Sequence, residues 1–282
     1  MNIDKIDTNL AQEAVQEDGL VYRSAAKAPF RIHGLMLPDE DCPLYHRMPR
    51  QIAEAVNPGV AHLYRQSTGG RVRFRTDSGR IAVRVHMMEF SQNPKFSLLF
   101  TAGMDLYVDG KFRKILPPPQ DLVDRYTAIV EVGDGDMHDI MLHFPAYGTV
   151  IILDIGLDAE ARLEAPAEYA NALPMVFYGS SITHGSSNSR PANSYPNMIS
   201  RHLNWDHINL GFSGNALGEQ VIAEYIAQLP MAVFICEYDH NSPNAEFLRQ
   251  THEPFYRTVR EKNPPLETEI SSPWLQIKVF TI

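Results

Sequence analysis

The sequence is poor in cysteine, in positive charge and in long apolar runs, and each deficit removes a class of protein. Its two cysteines, Cys42 and Cys236, stand far apart without Cys-x-x-Cys spacing, so neither a zinc ribbon nor a disulfide framework is encoded. Cys236 falls inside the apolar run MAVFIC, where a buried, inert thiol is expected. A net charge of −9 offers no basic face for nucleic acid, while leaving small neutral or cationic substrates open. No apolar run approaches the roughly 18–20 residues that cross a bilayer. The polar, acidic start MNIDKIDTNLAQEAVQEDG lacks the apolar centre of a signal peptide. These absences predict a cytoplasmic protein with no membrane partner. No second histidine stands at ligand spacing, so no metal and no other cofactor is expected. Nor is there an internal repeat or low-complexity tract.

What is present divides in two. At 282 residues the chain has room for two domains. From about Tyr22 to Leu163 it reads as short strands. The stretch 71–90 alternates, with Val72 and Phe74, then Ile81, Val83 and Val85, on one parity within each run, and Asp77-Ser78-Gly79 between them as a turn. The stretch 96–116 repeats the pattern, with Asp109-Gly110 as a hairpin turn. Further strands are expected at 126–132, 138–144 and 149–157. Many short strands with Gly and Asp turns predict an antiparallel β-sandwich, jelly-roll-like, over 20–165. After Glu164 brief apolar runs (MVFYG, HINLG, MAVFIC) alternate with helical spacing at 194–204, 217–229 and 244–263. That alternation predicts an α/β domain built on a parallel sheet over 172–282.

In such sheets the chemistry collects where loops leave the carboxyl ends of the strands. The first strand ends in Gly179-Ser180-Ser181-Ile182-Thr183. A serine there either caps the next helix, as serines commonly do, or presents a nucleophilic hydroxyl. The second ends in NLGFSGN, where two glycines bracket a serine and backbone N–H groups can be turned toward an oxyanion; an ordinary turn is the plainer reading. The third ends in Glu237-Tyr238-Asp239-His240-Asn241, an acidic and amide cluster that turn propensity explains only in part.

Together the three loops resemble the conserved blocks of the SGNH, or GDSL, esterase and acylhydrolase superfamily. GSSIT is similar to its Gly-Asp-Ser-Leu signature with Ser180 in place of Asp, NLGFSGN to its glycine block, and YDHN to its asparagine block. The resemblance implies that Ser181 is the nucleophile. Its own N–H, the Gly214 N–H and the Asn241 side chain would then form the oxyanion hole. It also implies a three-layer, flavodoxin-like fold for the second domain. AGMDLY (102–107) resembles the Gly-x-Asp-Leu-Tyr motif of a sandwich domain preceding one branch of these hydrolases, and SRPANSYP (189–196) is similar to a run in that branch. The resemblance spans about Tyr45 to Pro264. Asp105 and Tyr107 are read as structural residues of a strand ending at a hairpin.

In that family the base is a histidine near the C-terminus, preceded three residues earlier by an aspartate. No Asp-x-x-His occurs in this sequence, and the 41 residues after Asn241 hold one histidine, His252, and no aspartate. LETEISSPWLQIKVFTI stands where an apolar strand is implied, which predicts an incomplete hydrolase domain with a foreign tail beyond about 266, as after a frameshift. His184, Arg190 and Tyr195, with Asn193, are candidates for the rim of a substrate pocket; none of the histidines is a good replacement base. The implied activity is carboxylic ester hydrolysis or acyl transfer on small-molecule or carbohydrate esters, in a form that lacks its base. Two alternatives stand beside it: a non-catalytic carbohydrate-binding or interaction protein built on the sandwich, and a decayed gene product that folds poorly. Oligomeric state is not encoded in any pattern.

Overall fold

The computed structural model describes residues 17–264 and 267–270, and most period-two stretches fold there as strands; helices at 50–56, 58–63 and 98–101 interrupt the region read as short strands, the last of them capped by Ser97. The first half runs β1 (Leu20–Ser24), β2 (Arg31–His33), α1 (Arg50–Val56), α2 (Pro58–Leu63), β3 (Arg71–Thr76), β4 (Arg80–Phe90), α3 (Leu98–Thr101) and β5 (Met104–Val108). It continues through β6 (Lys111–Leu116), β7 (Arg125–Glu131), β8 (His138–His143), β9 (Gly148–Asp158) and β10 (Leu163–Glu164). The second half runs β11 (Met175–Gly179), α4 (Ser181–His184), α5 (Tyr195–Leu203), β12 (His207–Gly211), α6 (Gln220–Ile226), β13 (Val233–Glu237), α7 (Ala245–Lys262) and β14 (Glu267–Ile270).

The first half forms two antiparallel sheets. One has the order β1-β9-β4-β7; the other is β10-β3-β8-β5-β6, with β2 paired to β3. Val72, Phe74, Leu106 and Leu142 from one sheet share a buried core with Val83, Val85, Val130 and Ile155 from the other. The alternation in 71–90 is thus real, but β3 and β4 lie in different sheets, so Asp77-Ser78-Gly79 crosses between sheets and closes no hairpin. Asp158 of β9 holds that crossing, accepting from Arg80 N at 3.0 Å and Arg80 Nε at 2.8 Å. Asp109-Gly110 does close a hairpin between β5 and β6, with φ of +48° and +75°. Two successive left-handed residues suit the right-handed twist of the paired strands.

The second half is a parallel sheet of order β12-β11-β13-β14. Its core recruits a segment from the first half: Met48, Ala53, Val60 and Leu63, on or near α1 and α2, pack with Val176, Leu210, Ile222 and Phe255. Residues inside the stretch expected to build the sandwich therefore complete the other core. At the far edge, β14 pairs parallel to β13 from Val233↔Glu267 to Cys236↔Ile270. β14 lies within the tail expected to be foreign from about 266. Main-chain pairing is indifferent to side-chain type, and an edge strand tolerates the polar parity of ETEI. Residues 271–282 lie outside the described residues. No described helix is long and apolar enough to cross a membrane.

Candidate active site

Three adjacent strands of the parallel sheet stop level, because Gly179 of β11 is opposite Gly211 of β12 on one side and Glu237 of β13 on the other. Ser180 N donates to Glu237 O and Phe212 N to Gly179 O, both at 2.8 Å, which ties the first residues of all three loops together.

In the first loop the two serines divide the roles that sequence left open. Ser180 is the cap: its Oγ accepts from Ile182 N at 3.1 Å, donates to Glu237 Oε2 at 3.0 Å and is fully buried. Ser181 is the first residue of α4 and partly exposed, and among the described residues neither its Oγ nor its N–H has a hydrogen-bond partner. Thr183 Oγ1 donates to Glu237 Oε2 at 2.9 Å and contacts Tyr195 OH at 2.9 Å, which fixes the other flank. The helix sits so close to β12 that a Cβ on Gly211 would lie 2.2 Å from His184 N.

The second loop turns through Gly214, whose φ is +68° and beside which space is open. The Gly214 N–H has no acceptor among the described residues. The turn is braced from the first half of the chain. Arg47, 2% exposed, donates to Asn209 O at 3.1 Å and Gly211 O at 2.6 Å, and its guanidinium lies 4.5 Å from the Phe212 ring. Burial pushes that guanidinium down to about 9, still cationic at neutral pH. Asn57 Nδ2 donates to Asn215 O at 3.0 Å, and Tyr147 OH bonds Ser213 Oγ.

The third loop brings Asn241 to this same turn. Its Nδ2 donates to Phe212 O at 3.3 Å and Ala216 O at 3.1 Å, so in this conformation both amide hydrogens hold the turn that carries Gly214. Glu237 is the group that sequence reading passed over. It is buried, joins the caps on both sides of Ser181, and has its carboxyl pushed up by burial against the Ser180 and Thr183 hydroxyls and the nearby His240. An acidic residue closing an apolar strand was the available signal.

The residues expected on a pocket rim are each engaged within the protein. His184 is fully buried, stacked on Tyr147 at 4.1 Å, and burial holds its imidazole well below its ordinary range. Arg190 Nη1 bonds Asp105 Oδ2 and Tyr107 OH, each at 3.0 Å, and its guanidinium lies 3.9 Å from the Phe112 ring. Asn193 Nδ2 donates to Ser189 Oγ at 2.9 Å. Tyr195 supports Thr183 and meets Phe177 edge-on. Asp105 and Tyr107 are structural, as read, but for a different reason. Asp105 is fully buried and accepts from Ala192 N at 2.7 Å, so the pair docks the 189–196 run onto the antiparallel sheets. Cys236 is buried and its thiol is pushed well up by that burial. No described imidazole bonds Ser181 Oγ: His207 starts β12 at the opposite edge, His252 faces Tyr238, and His240 is exposed beside Glu237. A surface groove of about 510 Å³ lined by Val108, Asp109, Phe112 and Asp134 sits at the β5–β6 hairpin and includes none of the strand-end residues.

Two levelled loops thus leave the N–H groups of Ser181 and Gly214 without partners among the described residues, beside a partly exposed serine. The N-terminal region of SGNH-hydro-type esterases, bearing the GxDLY motif, matches residues 20–163, and the GDSL-like lipase/acylhydrolase family matches residues 172–270. The chain belongs to the GDSL-like, SGNH-type esterases. A Bacteroides ovatus protein described as a GDSL-like lipase superposes with a TM-score of 0.78 at 26% identity, over 89% of this chain and 73% of that one. A salicylyl-acyltransferase from a tetracycline biosynthetic pathway gives 0.71 at 20% identity, over 90% and 72%. A family two carbohydrate esterase from Cellvibrio japonicus gives 0.59 at 11%, over 89% and 78%. At those identities the last two show the fold alone. No curated protein matches the sequence.

Proposed function

We propose that the protein is a serine carboxylic ester hydrolase or acyltransferase, with Ser181 as nucleophile. The observation that carries this reading is that Ser181 Oγ, Ser181 N–H and Gly214 N–H are left without partners among the described residues at the level ends of adjacent strands, while the Ser180 and Thr183 hydroxyls and the Asn241 amide brace the loops that carry them. In the reaction Ser181 Oγ bonds to the ester carbonyl carbon, and the carbonyl oxygen becomes an oxyanion facing the two N–H donors. Asn241 joins them by rotating one amide hydrogen away from Phe212 O, the longer of its two bonds. Collapse expels the alcohol and leaves an acyl-Ser181 ester, which water or another hydroxyl then cleaves. We read the paired antiparallel sheets as a sandwich that serves this site, through Arg47, Asn57 and Tyr147, more than as a separate binding module.

Among the described residues no imidazole bonds Ser181 Oγ, so its proton passes to solvent water, which returns one to the departing alcohol. With an oxyanion hole and no imidazole, acceleration is confined to roughly 10³–10⁴-fold over water. Acylated carbohydrates are the substrate class we favour, since carbohydrate esterases from Cellvibrio japonicus and Butyrivibrio proteoclasticus share the fold. The lack of an imidazole at Ser181 also favours the second reading, a carbohydrate-binding protein without catalysis. A fluorophosphonate probe decides between them. Adduct mapped to Ser181 by mass spectrometry, with slow aryl-acetate hydrolysis lost in Ser181→Ala, is the expected result. A folded protein that takes no label refutes the enzymatic reading.

A further inference from the structure

We propose that Glu237, Asp239 and His240 bind a divalent transition-metal ion, of the zinc or manganese class, at the carboxyl end of β13. One oxygen from each carboxylate and one ring nitrogen of His240 lie within 4.8 Å of one another. Small side-chain rotations close that spread onto a shared ion at about 2.0–2.2 Å from each donor. Two carboxylates with one imidazole are the mixed donor set that suits zinc, manganese and iron, and their two negative charges balance a dication.

Proximity among polar residues is common without an ion. What singles out this group is the state of Glu237, which is 7% exposed. Its Oε2 is the oxygen taken by Ser180 and Thr183, whereas Oε1 is buried with no hydrogen-bond partner. A carboxylate oxygen shut away from water without a partner is costly, and a bound cation removes that cost. The two hydroxyls on Oε2 hold the carboxylate so that Oε1 is the donor left for the ion, the supporting role that outer hydrogen bonds play around metal ligands. Exposed His240 supplies the entry side. Because Asp239 and His240 share a single turn of 3₁₀ helix with Asn241, a bound ion would also pin Asn241 against the Gly214 turn.

The chain contains a built-in comparison. His138 bonds Asp109 through Nδ1 at 2.7 Å and Asp134 through Nε2 at 3.1 Å. The two ring nitrogens face apart, so those carboxylates flank the imidazole and do not converge on a point with it. The same residue types are present there without the geometry.

The proposal goes beyond the esterase reading and does not rest on it. The test is isothermal titration calorimetry of the full 282-residue protein, freed of metal with a chelator, against Zn²⁺ and separately Mn²⁺. One ion per chain is expected, with affinity falling at least about tenfold in His240→Ala and in Asp239→Asn and unchanged in His138→Ala. His240 is exposed, so its variant keeps the fold, which circular dichroism verifies. No saturable binding of either ion, or equal affinity in wild type, His240→Ala and Asp239→Asn, would overturn the proposal, as would loss confined to His138→Ala. Labelling of Ser181 is read without added metal, so either result stands when the other fails.

Discussion

Replacing Asp105 by alanine should loosen the joint between the antiparallel sheets and the half of the chain that carries Ser181. Asp105 is fully buried on β5, and its Oδ2 accepts from Ala192 N at 2.7 Å and Arg190 Nη1 at 3.0 Å. Alanine would strand a guanidinium that is 19% exposed and leave a buried N–H without an acceptor. Breaking a buried pair from one side costs about 3–5 kcal/mol. Arg190 keeps Tyr107 and the Phe112 face, so the low end, about 3 kcal/mol, is the better figure. At about 2–4 °C per kcal/mol that lowers the midpoint of thermal unfolding by roughly 6–12 °C. Asparagine should be milder. The two ends of the pair differ: burial pushes the Asp105 carboxyl up despite Ala192 and Arg190, whereas Tyr107 and Asp105 outweigh burial at Arg190 and hold it up. The charge on Asp105 is therefore a burden that its partners only partly offset, and Asp105→Asn, which keeps an oxygen for Ala192 N–H, should lose about half as much as alanine. Trp205 fluorescence during heating follows the effect in the Ser181 half. A double-mutant cycle with Arg190→Ala should show coupling of about 1–3 kcal/mol. A midpoint for Asp105→Ala within about 1 °C of wild type, or additive cycle energies, would refute the reasoning.

Acid should destabilise the fold through three buried imidazoles. His143, His184 and His207 are each held well below the ordinary histidine range, chiefly by burial, with cationic arginines adding to it. They stay neutral when folded but take up protons when unfolded below about pH 6.5. Stability is then complete above that pH and falls below it, by about 1.4 kcal/mol per pH unit for each group. Asp105, pushed up by burial, works the opposite way: its contribution is present below the ordinary aspartate range and is lost as pH rises through its raised pKa, which trims the slope at the acid end. Urea midpoints that stay level between pH 6.5 and 5.5 would contradict this. Gly211→Ala places a Cβ 2.2 Å from His184 N and 2.6 Å from Thr183 C, backbone atoms that yield only if α4 moves. It should cost about 1–3 kcal/mol and slow fluorophosphonate labelling of Ser181 by on the order of 10²-fold; labelling at the wild-type rate would show that α4 is not packed as described.

Local pattern carried much of the site. Glycine at the ends of apolar runs, serine after glycine and asparagine after an acidic turn are consequences of backbone conformation within a few residues, and they placed Ser181, Gly214 and Asn241 on neighbouring strand ends before any coordinates. Residue pattern alone leaves the roles of Ser180 and Ser181 open, because either serine satisfies a helix cap; the family resemblance points to Ser181 as nucleophile, and the position of Glu237 assigns the cap to Ser180. The want of a second histidine argues against a metal in the sequence, whereas the proposed site uses one imidazole with two carboxylates. His184 is a rim candidate by its proximity to Ser181 and Arg190 as a polar loop residue, and both are engaged inside the protein. Arg190 is claimed by Asp105, 85 residues away along the chain, and His184 by Tyr147, 37 residues before it.

Sequence alone determined most of the strands, the helices after Glu164, the two halves, the hairpin at Asp109-Gly110 and the family, since period, turn chemistry and short motifs are read within a window of a few residues; the helices at 50–63 and 98–101 were not among them. Tertiary structure decided that β3 and β4 part into different sheets, that residues around 48–63 complete the parallel sheet's core, and that β14 extends that sheet. The reason is physical: a period of two says that one face is buried but not against what, and the choice of partner is made by packing between residues far apart in the chain.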